Sequence, residues 1–138
     1  MDFLGQRMPY VTAFSKALGT GMVISADSPI DDKVRSAMES LIEDYEHVLS
    51  RFRNDSLIAA IGKAEHGGSF DFPDWCAPLF DLYDALFSAT SGAIDPCVGE
   101  DLIRLGYDAS LSFTVTQDAP EHLGALRGRA VWGRDVTR

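Results

Sequence analysis

The hydrophobic and polar residues near the start of this chain follow a two-residue period. In the runs VTAFSKA and GMVISAD, neighbouring side chains face opposite ways, so that Val23 and Ser25 lie opposite Met22 and Ile24. Residues 18–21 (LGTG) separate the two runs, and their glycines permit a bend or a close backbone approach. The pattern predicts two strands within residues 11–26.

A period of three and four residues replaces this alternation from residue 28 onward. Ser28 suits a helix N-cap, Pro29 suits the first helical position, and Asp31 and Asp32 suit the positive end of the helix dipole. The apolar stripe that follows consists of Ile30, Val34, Met38, Leu41, Ile42, Tyr45, Val48, Leu49 and Phe52. We therefore expect a core-facing amphipathic helix that ends near Arg51.

The middle of the chain contains a second long amphipathic helix between turns. Residues 53–56 form a predicted turn and cap before a short helix over residues 57–63, and residues 69–72 alternate like a brief strand. The second long helix is predicted from Pro73 to Ser91, where a glycine at position 92 ends it.

An extended turn is predicted at Asp95-Pro96, because proline disfavours helical geometry in the residue before it. A short helix is expected from Val98 to Leu105, closed by Gly106. Weaker patterns predict a strand over residues 111–115, a helical turn over residues 120–126 and a strand that begins with Ala130, Val131 and Trp132. The predicted fold class is α+β, with an antiparallel sheet packed against the two long helices in one domain over residues 1–138. Residues 1–10 are predicted to be a loosely held arm.

Composition and charge narrow the class of protein. Of the 138 residues, 46% are hydrophobic and 24% charged, which is typical of a globular domain. The net charge of −9 repels a phosphate backbone, so nucleic-acid binding is not expected. No stretch approaches the roughly 20 apolar residues of a membrane span, and the N-terminus does not resemble a signal peptide. We predict a cytoplasmic protein that contacts neither nucleic acid nor membrane.

Three short motifs in fixed order carry a resemblance to a known family. They are residues 18–21 (LGTG), residues 50–57 (SRFRNDSL) and residues 91–99 (SGAIDPCVG), the last followed by LGY at residues 105–107. Together they resemble the N-terminal half of the ApbE family, the FAD:protein FMN transferases formerly described as thiamine biosynthesis lipoproteins. The resemblance runs from about Ala17 to the end of the chain and implies a partial domain of the T-fold-like ApbE type.

The resemblance implies an Mg²⁺-dependent transferase with FAD as its substrate. The FMN moiety would pass to a Thr or Ser hydroxyl of an acceptor flavoprotein through a phosphoester, with release of AMP. In family members the metal-binding Asp and Thr, and a Gly-rich segment with Lys, follow the part that this chain resembles. We therefore expect no catalytic and no metal-binding residue in this chain, and no activity of this part alone.

Five positions correspond to flavin contacts of the family. They are Leu18, where Met is usual; Phe52, where Tyr or Trp is usual; Ala93; Ile94, where Phe is usual; and Asp95. The resemblance implies that these residues bind FAD. Phe52 lacks a polar donor and Ile94 lacks a ring, so each departure weakens the expected contact.

Each motif also has a purely structural interpretation, which the sequence leaves open. Asp95 either accepts hydrogen bonds from a ribose or adenine group or caps the following helix, and Phe52 either stacks on a ring or packs in the core. Cys97 is either a thiol of lowered pKa beside a helix N-terminus or an inert small residue. Cys97 and Cys76 show no CxxC spacing, and we expect two reduced thiols, with a disulfide as the alternative.

Two other functions remain open at this point. One is a non-catalytic flavin-binding or protein-interaction module that keeps half of the fold and pairs its open strand edge with another chain, such as a second copy. The other is an α+β domain whose motif matches are accidental.

Overall fold

The computed structural model describes residues 7–138, so most of the arm predicted over residues 1–10 lies outside the described residues. The chain divides into two compact units, one that ends at Phe70 and one that runs from Asp71 to Arg138. We call them the N-terminal and the C-terminal unit. The described residues form a mixed α+β structure with a two-stranded antiparallel sheet. Across this part of the chain, every helix is too short or too polar to cross a membrane.

The N-terminal unit begins with the predicted pair of strands, which form a β-hairpin. Strand β1 (Tyr10–Ala17) pairs antiparallel with β2 (Thr20–Ala26), and Ala13 lies opposite Val23. One face carries the buried side chains of Phe14 and Ala17, whereas Val23 on the other face is 68% exposed. The alternation of β2 is thus confirmed, because its side chains follow the period of a strand with one buried face.

Helix α1 (Asp32–Leu49) lies beside the hairpin, with an apolar groove between its side chains and those of β2. The prediction that its apolar stripe faces a core is wrong, because none of its residues is buried and Leu41 of the stripe is 64% exposed; the stripe lines this groove instead. Arg35 makes the polar contacts near the start of the helix, where it donates to Thr12 Oγ1 and, at 3.2 Å, to the Ala13 carbonyl. Its guanidinium also lies 4.7 Å from the centre of the Phe14 ring, close enough for a cation–π contact. The buried face of the hairpin is therefore tied to the first turns of α1.

The prediction that Ser28 caps α1 and that Pro29 starts it is wrong. The N-cap is Asp31, whose carboxylate accepts a hydrogen bond of 2.7 Å from the Val34 amide. Ser28 instead donates to the side chain of its neighbour Asp27. A carboxylate serves better than a hydroxyl here, since it also interacts favourably with the helix dipole.

Substitution of Ser28 and of Asp31 distinguishes the two candidate caps of α1. Asp31→Ala is expected to lower the free energy of unfolding by about 1 kcal/mol, because the Val34 amide loses its acceptor. Ser28→Ala is the matched control and is expected to change it by less than about 0.5 kcal/mol. Urea unfolding followed by circular dichroism measures both. Equal losses from the two variants would contradict the assignment of the cap.

The second predicted cap is confirmed. Ser56 precedes α2 (Leu57–Gly62), accepts from the Ala59 amide at 3.0 Å and donates to the Ser50 carbonyl. Its side chain is almost fully buried, so one hydroxyl fixes both the end of α1 and the start of α2. The strand predicted over residues 69–72 is wrong, because this segment has no regular structure.

The C-terminal unit is built from short helical segments. In chain order they are a 3₁₀ turn (Asp74–Cys76), α3 (Ala77–Ala89), a 3₁₀ turn (Pro96–Val98), α4 (Gly99–Arg104), α5 (Ala119–His122), a 3₁₀ turn (Ala125–Arg127) and α6 (Trp132–Asp135). The second long helix, the short helix after Asp95 and the helical turn near residue 120 are thereby confirmed. The long helix starts later than predicted, because its first turn is 3₁₀.

Trp132 is the large apolar anchor of this unit. Its ring centre lies 5.8 Å from that of Phe80 and 5.6 Å from that of Tyr83, and its indole Nε1 donates to Asp84 at 2.7 Å. The strand predicted from Ala130 is wrong, because Trp132 begins a helical turn. The Asp135 carboxylate accepts from the Val131 amide, and the Asp135 amide donates back to the Val131 carbonyl, which closes that turn.

The strand predicted over residues 111–115 is also wrong. Leu111 and Phe113 have φ angles of +53° and +49°, which break an extended strand. The Asp108 carboxylate accepts from the backbone and hydroxyl groups of Ser110 and Ser112, and these bonds hold the pKa of Asp108 well below its usual range. Local side-chain bonds therefore outweigh the alternating pattern.

Candidate functional site

The first motif forms the turn of the hairpin. Leu18 and Gly19 both lie in the left-handed region, with φ angles of +54° and +81°. The Leu18 amide donates to the Glu46 carboxylate at 2.6 Å, which ties the turn to α1. The Leu18 side chain is half-exposed. The motif thus combines a strained turn, a charged acceptor from the helix and an accessible apolar side chain.

The second motif lies beside the first. A Cβ atom placed on Gly19 would lie 3.5 Å from the Phe52 ring, so the turn passes directly over this side chain. The Arg51 guanidinium lies 4.2 Å from the centre of the same ring. Phe52 is half-buried. The structure therefore brings Leu18 and Phe52 to one end of the N-terminal unit, and it gives Phe52 both a packing and a stacking contact.

Arg53 organises the loop that follows Phe52. Its guanidinium makes two bonds of 2.9–3.0 Å to Asp55 and one of 2.7 Å to Glu43. The hydrogen bond from Arg53 lowers the pKa of Asp55 to about 2. The contact between Arg53 and Asp55 is bidentate, which gives it a defined geometry even at the surface. It holds the loop between α1 and α2.

An apolar groove runs next to Leu18. It lies between β2 and α1 and has a volume of about 240 Å³. Its lining residues are Leu18, Met22, Ile24, Met38, Leu41, Ile42 and Tyr45. The groove lies wholly in the N-terminal unit. Leu18 was predicted from the sequence as a flavin contact, and the other lining residues only as parts of an apolar stripe and a strand face.

The third motif forms the loop after α3. Thr90 Oγ1 donates to the Leu86 carbonyl and accepts from the Ile94 amide at 3.0 Å, and Gly92 has a φ angle of +81°. Ala93 and Ile94 are exposed, the latter by 42%. The loop thus presents two of the three residues of this motif that were predicted to contact flavin.

Asp95, the third of these residues, is buried. One carboxylate oxygen, Oδ1, accepts from the amides of Cys97 at 2.9 Å and Trp132 at 3.2 Å, and the other, Oδ2, accepts from Arg129 at 2.8 Å. Burial by itself raises the pKa of Asp95, but these three donors outweigh it and the pKa lies below its usual value. The cap that the sequence offered as an alternative role is present, since the Cys97 amide belongs to the following 3₁₀ turn.

Arg129 connects Asp95 with a second carboxylate. Its Nε lies 2.8 Å from Asp101 Oδ2, and Asp101 also accepts from the Gly124 amide. The side chains of Asp95, Arg129 and Asp101 are only 2%, 9% and 15% exposed. We call Asp95, Arg129, Asp101 and the Trp132 amide the Asp95 clasp.

Sequence reasoning identified only one member of the Asp95 clasp as a site residue. Arg129 and Trp132 lie 34 and 37 positions after Asp95, so no local pattern connects them. The one available signal was that Asp95 follows a helix stop and precedes a proline. That signal predicts a cap but not its distant donors.

Cys97 lies beside the clasp as a neutral thiol. Burial, together with the nearby Asp95 carboxylate, raises the pKa of Cys97 to about 11. A helix N-terminus would lower it, but the buried negative charge acts in the opposite direction. Cys97 and Cys76 are both free thiols. These observations favour the inert interpretation over that of a reactive thiol.

The five predicted flavin contacts are divided between the two units. Leu18 and Phe52 belong to the N-terminal unit, and Ala93, Ile94 and Asp95 belong to the C-terminal unit. Within residues 7–138, no group of three or more His, Cys, Asp or Glu side chains is placed to hold a metal ion. The described residues therefore do not offer a set of ligands for Mg²⁺.

Comparison with protein-family models, curated proteins and solved structures found no significant match to this chain. The likeness to the ApbE family consequently depends on residues 18–21, 50–57 and 91–99 alone.

Proposed function

We propose that this chain supplies flavin-nucleotide contacts to an FAD:protein FMN transferase of the T-fold-like ApbE type. The observation that carries the proposal is the meeting of two motifs far apart in sequence, in which the Leu18-Gly19 turn lies over Phe52. If the motif matches were accidental, the first and second motifs would not be expected to lie next to each other in the fold. The partners of the proposed reaction are FAD and an acceptor flavoprotein.

In the proposed reaction, a Thr or Ser oxygen of the acceptor forms a bond to the phosphorus of the FMN moiety. The bond between that phosphorus and the AMP phosphate oxygen breaks, AMP leaves, and the hydroxyl proton passes to a base. Mg²⁺ would neutralise the diphosphate charge. Its ligands belong to the part of family members that follows these motifs. The residues of this chain bind and orient the nucleotide.

Within each unit, exposure indicates which of the predicted residues can reach a ligand. Leu18 and Ile94 offer accessible apolar surface, and Phe52 offers a ring edge beside the turn. The Asp95 carboxylate already has three donors inside its own unit, so it supports the loop from within. We therefore propose that Ala93 and Ile94 make the direct contacts of the third motif.

The experiment restores the residues that the family usually has at three positions. Leu18→Met, Phe52→Tyr and Ile94→Phe are each expected to tighten FAD binding about 2–10-fold, because they restore a flexible thioether, a hydroxyl donor and a ring. Titration calorimetry with FAD and MgCl₂ measures the affinity, and flavin fluorescence quenching provides a second readout. The unaltered chain is expected to bind more weakly than all three variants.

Each variant has a matched control at an exposed position outside the motifs. Leu126→Met, Phe113→Tyr and Ile103→Phe make the same chemical changes at side chains that are open to solvent. None of these controls is expected to alter FAD affinity. If FAD bound to no variant at millimolar concentration, or bound equally to variants and controls, the proposed function would be rejected.

The apolar groove favours a second candidate function, a non-catalytic protein-interaction module. Seven apolar or aromatic side chains line it, and among residues 7–138 the two-stranded hairpin has no further strand paired to either edge. A partner that adds a strand, such as a second copy, would satisfy such an edge. A concentration-dependent dimer in analytical ultracentrifugation, disrupted by Leu41→Lys in the groove and unaffected by FAD, would favour this candidate over the transferase.

A further inference from the structure

We propose that Arg129 is a positioning residue, which acts through Asp95 to hold the loop over residues 91–95 so that Ala93 and Ile94 face a ligand. The part of this inference that concerns a ligand rests on the proposed function. The part that concerns the clasp and the loop does not, and each part has its own measurement.

The loop needs support because its backbone is strained. Ser91 and Gly92 have φ angles of +53° and +81°, and a non-glycine residue in this region costs free energy. On the side of α3, the Gly92 amide donates to the Phe87 carbonyl and the Ile94 amide donates to Thr90 Oγ1. On the other side, Asp95 is the residue that fixes the chain.

Asp95 fixes the chain only if its own carboxylate is fixed. Two backbone amides bind Oδ1, and Arg129 is the side chain that binds Oδ2. Arg129 in turn forms an ion pair with Asp101, in which Nε lies 2.8 Å from Oδ2 without making a hydrogen bond, and its Nη1 donates to the Ala130 carbonyl. Each contact lies within the C-terminal unit. The Asp95 clasp therefore ties the end of the exposed loop to α4 and to residues 129–132.

Arginine is suited to this role in a way that lysine is not. Nη1 donates a hydrogen bond to Asp95 and Nε forms an ion pair with Asp101, so one rigid, planar guanidinium contacts both carboxylates through different nitrogens. A lysine ammonium is a single point charge on a flexible stem. Removing the cation altogether would leave the buried Asp95 carboxylate without its counter-charge, which favours its protonated form.

The other charged and titratable groups near the clasp do not replace Arg129. Cys97 is a neutral thiol, and Asp135 accepts from Val131 and pairs with Arg134. Asp84 accepts from the Trp132 indole and from Arg138. Because the pKa of Asp95 is lowered in the fold, the stabilisation it brings is present above the unfolded value of about 3.9 and is lost as the pH falls below it.

Carboxyl ¹³C NMR of the full chain tests the clasp, with the Asp95 resonance assigned by Asp95→Asn. In the unaltered chain the Asp95 midpoint is expected below pH 3.9. Arg129→Met is expected to raise it by at least about one unit, a tenfold change in proton affinity, and Arg129→Lys by less. Arg127→Met, at an exposed arginine two positions earlier, is the matched control and should leave it unchanged.

Amide hydrogen exchange tests the positioning without flavin. Exchange of the Ile94 amide is expected to quicken about tenfold in Arg129→Met, partly recover in Arg129→Lys and remain unchanged in Arg127→Met. FAD affinity, measured in the Ile94→Phe background, should fall in the same order. If Arg129→Met does not fold, Arg129→Lys and Asp101→Asn serve for the same three readouts.

The outcomes separate the two ideas. An Asp95 midpoint that does not move in the Arg129 variants overturns the clasp, and a moved midpoint with unchanged Ile94 exchange overturns the positioning role. Unchanged FAD affinity despite faster Ile94 exchange overturns the link to the ligand. If no form of the chain binds FAD, the proposed function fails, while the titration and the exchange still decide the role of Arg129.

Discussion

Trp132→Ala is expected to lower the free energy of unfolding of the C-terminal unit by about 3–5 kcal/mol. Trp132 is 9% exposed and contacts the rings of Phe80 and Tyr83, so its removal leaves a cavity beside these two rings. It also leaves the Asp84 carboxylate without its indole donor. Urea unfolding followed by tryptophan fluorescence and circular dichroism measures the loss.

Two variants separate packing from hydrogen bonding. Trp132→Phe keeps an aromatic ring and loses the indole donor, so a smaller loss of about 1–2 kcal/mol is expected. Trp75→Ala removes the other tryptophan, which is 40% exposed, and should cost less than Trp132→Ala. If Trp132→Ala and Trp75→Ala destabilised the chain equally, Trp132 would not be the anchor of the C-terminal unit.

Gly106→Ala is expected to destabilise the same unit by about 2–5 kcal/mol, for two reasons that add. Gly106 has a φ angle of +88°, which alanine adopts only with strain. A Cβ atom there would also lie 2.3 Å from the Thr114 amide nitrogen and 2.6 Å from the Phe113 carbonyl carbon. These are backbone atoms, so the loop itself must move. Urea unfolding again measures the effect.

Gly99→Ala is the control for this substitution. Gly99 has no neighbour within 4 Å of an added Cβ and a helical φ angle of −54° at the start of α4. Alanine is the better helix former, so this variant is expected to be neutral or more stable by up to about 1 kcal/mol. A Gly106→Ala variant as stable as Gly99→Ala would mean that residues 113–114 do not pack on Gly106.

The elements predicted correctly are those with a strong local signal. The hairpin follows from alternation and two glycines, and the cap at Ser56 follows from a serine just before an apolar run. The cap of α1 was misplaced by three residues because Ser28 and Asp31 are both good caps, and sequence alone does not rank them. Asp31 is the cap in the structure, because its carboxylate reaches the Val34 amide.

The false strands at residues 111–115 and from residue 130 have a common cause. Both segments alternate or begin with branched and aromatic residues, yet neither has a neighbouring strand to pair with among the described residues. Asp108 folds the first into a loop, and the packing of Trp132 on Phe80 and Tyr83 holds the second as a helical turn. Strand propensity depends on packing and pairing, which a single sequence does not contain.

For the candidate site, too, some features follow from the sequence and others only from the tertiary structure. The sequence by itself determined the α+β class, the two long helices, the hairpin and the five positions at which flavin contacts are predicted, because all of these depend on local periodicity or on short motifs. Only the tertiary structure decided that the turn at Gly19 lies next to Phe52 and that Asp95 is buried. It also decided that Arg129 and the Trp132 amide bind Asp95, with Asp101 paired to Arg129. These contacts join residues about 30 positions apart or bury charge, and such contacts exist only once the chain has packed.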